Sequence, residues 1–324
     1  MCIYIVNRYK RQFLILSISI FLFSEIINAQ NYNFPDPYSE KINFNPAYSG
    51  LTNNNEFNLN YSKNFFSDIY SVSFNKYYDN YKSSIGFLLM NNRFGKGALN
   101  NINISAIYGY KFKINYRSII NTAVQVSYLQ QSVNSEDLIF SSQINPVSGI
   151  ISPNTSEYFP VLRTYDFSVG TAYISNKYRT GLSVHHIDKI FFKNENFYSN
   201  PEFTLFFGKI FSVKKSGAKE KILVTPEIIY RTQNNFHQII YSVHGNYNIF
   251  LTRLFLKHNL NFNTFEGVIT IGIRLARFRF TYTYGVSLTK YVSIPVSTNA
   301  IALRFNFGNG KKINIKNTIY CLNF

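Results

Sequence analysis

The stretch Asn101-Ile102-Asn103-Ile104-Ser105-Ala106-Ile107-Tyr108-Gly109-Tyr110-Lys111-Phe112 decides the fold. Ile102, Ile104, Ala106, Tyr108, Tyr110 and Phe112 share one parity, and Asn101, Asn103, Ser105, Ile107, Gly109 and Lys111 share the other. Side chains alternate across a strand with period two, so the segment is a strand with one apolar and one mostly polar face. A helix would mix the two sets around its circumference.

The alternation recurs along the chain. Phe57, Leu59 and Tyr61 interleave with Asn58, Asn60 and Ser62; Tyr165, Phe167, Val169, Thr171 and Tyr173 with Asp166, Ser168, Gly170 and Ala172; Phe278, Phe280, Tyr282 and Tyr284 with Arg279, Thr281, Thr283 and Gly285. Fourteen such segments fall at about 56–63, 70–78, 83–91, 101–112, 118–129, 165–175, 178–186, 202–211, 221–231, 236–248, 251–262, 266–275, 278–287 and 299–307. The segments at 221–231 and 251–262 are the least regular. Pro226 cannot donate to a ladder and calls for an edge-like or bulged position. The long connections, 92–100, 130–164, 187–201 and 288–298, all join an odd strand to the next even one. The even-to-odd connections are mostly tight, with Ser212 to Glu220 the exception. An even strand count, with long loops at one end and short turns at the other, is the pattern of an outer-membrane barrel.

Composition separates this reading from its competitors. The 324 residues carry 26 Tyr and 32 Phe, no Trp, and only 15% charged residues, which excludes a disordered chain. Mean hydropathy is close to zero, as in a soluble protein, but a barrel also averages a lipid face with a wet one. In a soluble β-sandwich or lipocalin-like barrel, apolar faces point inward and the outer faces carry charge. Here the non-apolar face is mostly Asn, Ser, Thr and Gly, which suits a wet lumen. Length alone suggests two soluble domains, whereas one barrel uses nearly all of this chain.

The N-terminus supplies the compartment. Asn7-Arg8-Tyr9-Lys10-Arg11 is a basic flank, Phe13 to Phe23 an apolar run too short to span, and Ile27-Asn28-Ala29 before Gln30 a cleavage site. Removal of residues 1–29 lowers the formal charge from +17 to +15 and leaves Cys321 as the one cysteine, since Cys2 is lost. The expected organisation is a signal peptide at 1–29, a periplasmic N-terminal segment at 30–55, a transmembrane barrel at 56–307 and a basic tail at 308–324. The last strand, Ile301-Ala302-Leu303-Arg304-Phe305-Asn306-Phe307, alternates and ends in aromatics, like the assembly signal of outer-membrane proteins.

Several motifs carry a family resemblance. Gln30, Pro37-Tyr38 and Asn45-Pro46-Ala47-Tyr48-Ser49-Gly50 resemble the opening of the PorP/SprF family of Bacteroidetes outer-membrane proteins, which has Asn-Pro-Ala-Tyr-Ala-Gly before its first strand. Met90-Asn91-Asn92-Arg93-Phe94-Gly95 resembles the family's hairpin tip, Tyr108-Gly109-Tyr110-Lys111-Phe112 its next strand, and Tyr282-Thr283-Tyr284-Gly285 its Tyr-Ser-Tyr-Asp strand. There are departures: Ser62-Lys63-Asn64-Phe65 replaces the family's Arg-x-Gln-Trp, Gly285 its Asp, and Ser297-Thr298-Asn299-Ala300 its Gly-Ser-His-Glu. In Asn45-Pro46-Ala47-Tyr48, Pro46 pushes Asn45 into extended backbone, and Gly50 permits a turn closed to most residues. The motif suits a rigid plug or turn at the periplasmic mouth. Its other reading is a docking surface for periplasmic partners.

The residues carry little chemistry. His185, His186, His237, His244 and His258 form no metal-binding spacing, and on a strand His185 and His186 would face opposite ways. There is no GxSxG, P-loop or GxGxxG motif, so no enzyme activity and no cofactor is expected. Lys and Arg are scattered rather than set among stacking aromatics, which argues against nucleic acid. Lys214-Lys215, Lys219 and Lys221 in one turn, and Lys311-Lys312 and Lys316 in the tail, read as solvated turns, with attraction to an acidic partner as the alternative.

The expected protein is an all-β transmembrane antiparallel barrel of about fourteen strands in the outer membrane, in contact with the bilayer and lipopolysaccharide. The resemblance implies an accessory of the type IX secretion and gliding machinery. It would contact periplasmic components of that machinery and support secretion or surface attachment of a specific large adhesin-like cargo. The alternative is a channel or hydrophobic-solute transporter.

Overall fold

The computed structural model describes residues 34–134, 159–188, 200–214, 221–261, 264–288 and 297–307, with residues 138 and 144. The expected signal peptide with Ala29 and Gln30, most of the two longest loops and the tail 308–324 lie outside the described residues. Among these residues there are fourteen strands: β1 (Asn55–Lys63), β2 (Ser67–Tyr78), β3 (Ser83–Phe94), β4 (Leu99–Asn115), β5 (Ser118–Val133), β6 (Leu162–Ser175), β7 (Tyr178–His185), β8 (Glu202–Lys209, resuming as Phe211–Lys214), β9 (Lys221–Gln233), β10 (Phe236–Tyr247), β11 (Phe250–Asn259), β12 (Thr264–Leu275), β13 (Phe278–Ser287) and β14 (Ser297–Phe307). Each pairs antiparallel with its chain neighbours, and β14 closes on β1 from Asn55↔Phe307 to Lys63↔Asn299. Closure matters because an open sheet edge would leave N–H and C=O groups without partners in hydrocarbon.

The alternation read from the sequence becomes an outside and an inside. On β4, Ile104, Ala106, Tyr108, Tyr110 and Phe112 are exposed on the outer face, while Ser105, Ile107, Gly109 and Lys111 are buried toward the lumen. On β13, Phe278, Phe280, Tyr282 and Tyr284 face out, and Arg279, Thr281, Thr283 and Gly285 face in. The outer face is therefore a belt of aliphatic and aromatic side chains suited to lipid.

Two expectations about the wall need correction. The connection expected at 92–100 shrinks to 95–98, because pairing runs on through Asn92↔Asn101, Arg93↔Asn100 and Phe94↔Leu99. Only about 9–11 residues are needed to cross the hydrocarbon, so the 17 residues of β4 extend past it, where no apolar face is required. Pro226 is neither at an edge nor in a bulge. It pairs in register with Val243 on β10, and on its other side the ladder skips from Glu227↔Gly208 to Val224↔Phe211 with no register shift. The missing N–H of proline interrupts the β8 ladder instead of bending it. The backbone N–H of Ile210 donates to the carbonyl of Lys177 at 2.7 Å, one step further along the β7–β8 register, so β8 keeps its pairing on that side.

The two ends differ as expected. Two-residue turns at 176–177, 248–249 and 276–277 lie at the end that also holds the start of β1 and the end of β14. The connections 134–161 and 186–201 lie at the other. In outer-membrane barrels the short turns are periplasmic, so the chain enters β1 from the periplasmic side.

Val126 sits mid-strand on β5, cross-strand from Ala106 and Phe167, and is 45% exposed on the outer face. Val126→Arg places a charge in hydrocarbon and is expected to destabilise the barrel by about 2–4 kcal/mol. Urea unfolding in liposomes measures this; an unchanged midpoint would mean that this face does not meet lipid.

Candidate functional site: a plugged lumen

The segment expected to lie on the periplasmic side of the barrel runs inside it. Residues 34–51 are almost entirely buried, and they cross the lumen as a turn, one helical turn α1 (Lys41–Phe44) and a 3-10 turn over Pro46–Tyr48. Irregular backbone at membrane depth persists only where protein satisfies it. The wall does so with side chains that the strand alternation points inward. Ser183 Oγ donates to Phe44 O at 3.1 Å. Asn121 Nδ2 donates to Ala47 O and Ser49 O at 2.5 and 2.9 Å, and Ser84 Oγ also donates to Ser49 O at 3.1 Å. Lys111 Nζ reaches Leu51 O at 3.1 Å, and Arg304 Nη2 reaches Tyr38 O at 3.2 Å.

The Asn-Pro-Ala-Tyr motif is the densest part of this plug. Asn45 is extended (φ −153°, ψ 119°) ahead of Pro46, and its Oδ1 accepts from Ala47 N at 2.8 Å. Its Nδ2 donates to Thr171 O and Leu182 O at 3.3 and 3.2 Å, tying the motif to β6 and β7. Tyr48 stacks on Phe206 of β8 at 5.9 Å, and Phe44 meets the same ring at 5.6 Å. Contacts of this kind add about 0.5–1.5 kcal/mol each beyond burial. Gly50 has φ +62°, the left-handed region that favours glycine. Gly170 on β6 leaves the room that Asn45 occupies: a Cβ there would collide with Asn45 Oδ1 and stand 3.1 Å from Ala47 N.

Charge fixes the rest of the plug. Asp36 pairs with Arg253 of β11 at 2.5 Å and accepts from Thr270 Oγ1 at 3.0 Å. Tyr38 OH donates to Glu227 of β9, which also pairs with Arg179 of β7. Lys41 pairs with Glu56 of β1 at 3.2 Å. Glu40 accepts from Asn60, Ser71 and Ser73 at 2.8, 3.1 and 2.9 Å. Burial pushes the Glu40 carboxyl up to about 7 from 4.5, against the pull of Ser73, Arg304 and Ser71. Burial, with Arg304 nearby, brings the Lys41 ammonium down to about 7 from 10.5, although Glu56 opposes this.

The other residues singled out from sequence fall outside the plug. Tyr282 and Tyr284 face lipid, and Tyr282 OH donates to Asn299 Oδ1 at 2.7 Å, which links the strand motif to a position where the chain departs from the family pattern. Gly285 faces the lumen, where a Cβ would stand 3.1 Å from Glu266 Oε1. An Asp there would set two carboxylates together. His185 and His186 do not face opposite ways, because β7 ends at His185 and His186 takes φ +60°. Their rings lie 6.5 Å apart; His186 pairs with Asp166 at 3.1 Å, and His185 Nδ1 meets Ser168 Oγ at 3.1 Å. Among the described residues no group of three or more His, Cys, Asp or Glu is placed to hold a metal ion. Lys215, Lys219 and the tail lysines lie outside the described residues.

Sequence reasoning passed over Asp36 and Glu40, and over the inward charges Glu56, Arg179, Glu227, Arg253 and Arg304 that hold the plug. The available signal was parity. A charge on the lumen face of a strand needs a partner when buried, and Asp36, Glu40 and Lys41 were the charges nearest the plug motif.

A closed fourteen-strand barrel with a lipid-facing belt and a lumen filled by its own N-terminal segment is an outer-membrane protein of the plugged type. The chain matches the family model "Type IX secretion system membrane protein PorP/SprF" over residues 27–305 and belongs to that family. No curated protein matches it. Among solved structures it resembles the P. putida toluene transporter TodX, at TM-score 0.50 and 10% identity over 81% of this chain and 92% of that one. It also resembles the Acinetobacter baumannii outer membrane protein Omp33, at TM-score 0.46 and 7% identity over 80% and 100%. The first likeness supports the barrel fold alone.

Two outcomes test the plug. Lys41 is buried in the seated plug and should resist trypsin; Gly170→Leu displaces Asn45 and should expose it, read as a new cleavage after residue 41. Equal resistance in both proteins would contradict the packing. For Glu40, the seated state prefers the neutral carboxyl, so seating is strongest below pH 4.5 and weakens as pH rises to about 7. The melting temperature should fall across that window, and Glu40→Gln should flatten the fall.

Proposed function

We propose that this protein is a non-enzymatic anchoring component of the type IX secretion machinery, which supports export or surface attachment of one large adhesin-like cargo. Family membership supports a role as a membrane component of that system. The observation that carries the finer reading is the filled lumen. With residues 34–51 bonded to strands on all sides of the wall, the barrel has the build of a platform rather than a pore. The Asn45–Gly50 motif then acts from inside by fixing the plug. Docking of periplasmic components falls to the short-turn end, where the plug leads into β1 and where β14 ends.

Deletion of the protein should abolish surface display of one adhesin while leaving solute uptake unchanged, and the purified barrel should not conduct in a planar bilayer. A solute-uptake defect with normal secretion would instead support the channel or hydrophobic-solute transporter reading.

A further inference from the structure

At the long-loop end of the barrel, outward-facing charge gathers on β1–β4. Lys63 on β1, Asp68 on β2 and Arg93 on β3 stand in one cross-strand row. They share the face of Leu59, Val72 and Leu89, away from the lumen, and Lys63 and Arg93 are exposed. Two residues along each strand toward the membrane centre, the row becomes Tyr61, Tyr70 and Asn91, with the tyrosine rings 5.0 Å apart. The row after that is Leu59, Val72, Leu89 and Ile104, all exposed on the lipid face. Cations, aromatic hydroxyls and hydrocarbon thus follow one another down a single face.

The turns above this face are fixed to each other. Asn64 Oδ1 accepts from Phe66 N and Ser67 N at 2.8 and 2.7 Å. Gly95 N donates to Phe66 O at 2.9 Å, which ties the β1–β2 turn to the turn that carries Lys96. Phe65 and Phe66 are left 84% and 58% exposed there, with their rings 5.0 Å apart. Exposed apolar groups rimmed by polar ones mark a binding surface. Among the described residues no ion pair involves Lys63, Arg93 or Lys96, and the Asp68 carboxylate accepts from Tyr61 OH at 3.1 Å. The same end of β9–β12 is built differently. Tyr230 OH meets His237 Nδ1 at 2.9 Å and His258 stacks on Phe265 at 4.2 Å, with no outward Lys or Arg among the described residues. An aromatic girdle of that kind suffices to seat a barrel at the membrane boundary, so the cations of β1–β4 serve something more.

We propose that this face of β1–β4 binds a phosphorylated glycolipid of the outer leaflet, of the lipopolysaccharide class. Lys63, Arg93 and Lys96 hold its phosphate, Phe65 and Phe66 lie against its sugar, and the column from Tyr61 and Tyr70 to Leu59, Val72 and Leu89 packs its acyl chains. The leaflet follows from orientation, since the short turns are periplasmic and this is the opposite end. Basic groups at a membrane surface attract anionic headgroups by about 1 kcal/mol each, and the guanidinium fork of Arg93 matches phosphate oxygens. A free phosphate ion would use only the uppermost row. An amphiphile uses the whole face, and its phosphate bridges the two hairpins that Gly95 and Phe66 join.

Binding of labelled lipid A, the phosphorylated glycolipid anchor of lipopolysaccharide, to the full-length protein in mixed detergent micelles at constant ionic strength tests the site. Binding should saturate, and the triple variant Lys63→Gln, Arg93→Gln, Lys96→Gln should weaken it at least about tenfold. The charge-matched triple variant Lys113→Gln, Arg117→Gln, Lys177→Gln, at the short-turn end, should leave it unchanged. Dephosphorylated lipid A should bind the parent protein at least about tenfold more weakly than the phosphorylated form. Should the first triple variant not fold, Arg93→Gln alone is expected to weaken binding about fivefold. Equal weakening by the two triple variants, or no weakening by the first, would overturn the proposal. Competition by inorganic phosphate at the concentration of lipid A would overturn the assignment to a lipid, and equal competition by phosphatidylglycerol would overturn the assignment to a glycolipid.

Discussion

A backbone N–H or C=O at membrane depth must find a partner within the protein, and both halves of this structure answer that constraint. The wall meets it by closing, β14 onto β1, so that every strand has two neighbours. The plug has no ladder to join, so its carbonyls are met by Ser84, Lys111, Asn121, Ser183 and Arg304 from the wall. These donors come from five different strands, which is why the plug has one seating and not a family of them.

Charge adds selectivity rather than bulk stability. Buried ion pairs contribute little net energy against well-packed apolar groups, but breaking one costs about 3–5 kcal/mol. Pairing Asp36 with Arg253 and Lys41 with Glu56 therefore penalises every misplaced seating of the plug. The aromatic cluster of Tyr38, Phe44, Tyr48 and Phe206 fills the space between these points.

The barrel was legible in the sequence because period-two alternation is a local signal that every strand repeats. Asn101 to Phe112 announced it, and the strands at 178–185 and 278–287 begin where their alternation begins. What was not legible is what depends on three-dimensional closure. The alternation shows that Arg279 and Arg304 face the lumen, but not that they stand side by side, which follows from register. Asn45-Pro46-Ala47-Tyr48 could be read as a rigid turn, yet nothing local says that it turns inward. That depends on Gly170, Asn121 and Ser183, more than 70 residues away. The two histidines misled because alternation was carried one residue beyond the end of β7.

The central claim is that residues 34–51 fill the lumen as a fixed part of the fold. Hydrogen–deuterium exchange of the membrane-embedded protein tests it most directly. Amides such as Asn45, Ala47, Ser49 and Gly50, each hydrogen-bonded within the plug or to the wall, should exchange as slowly as those of the barrel strands. Exchange at the rate of an open chain would contradict the account.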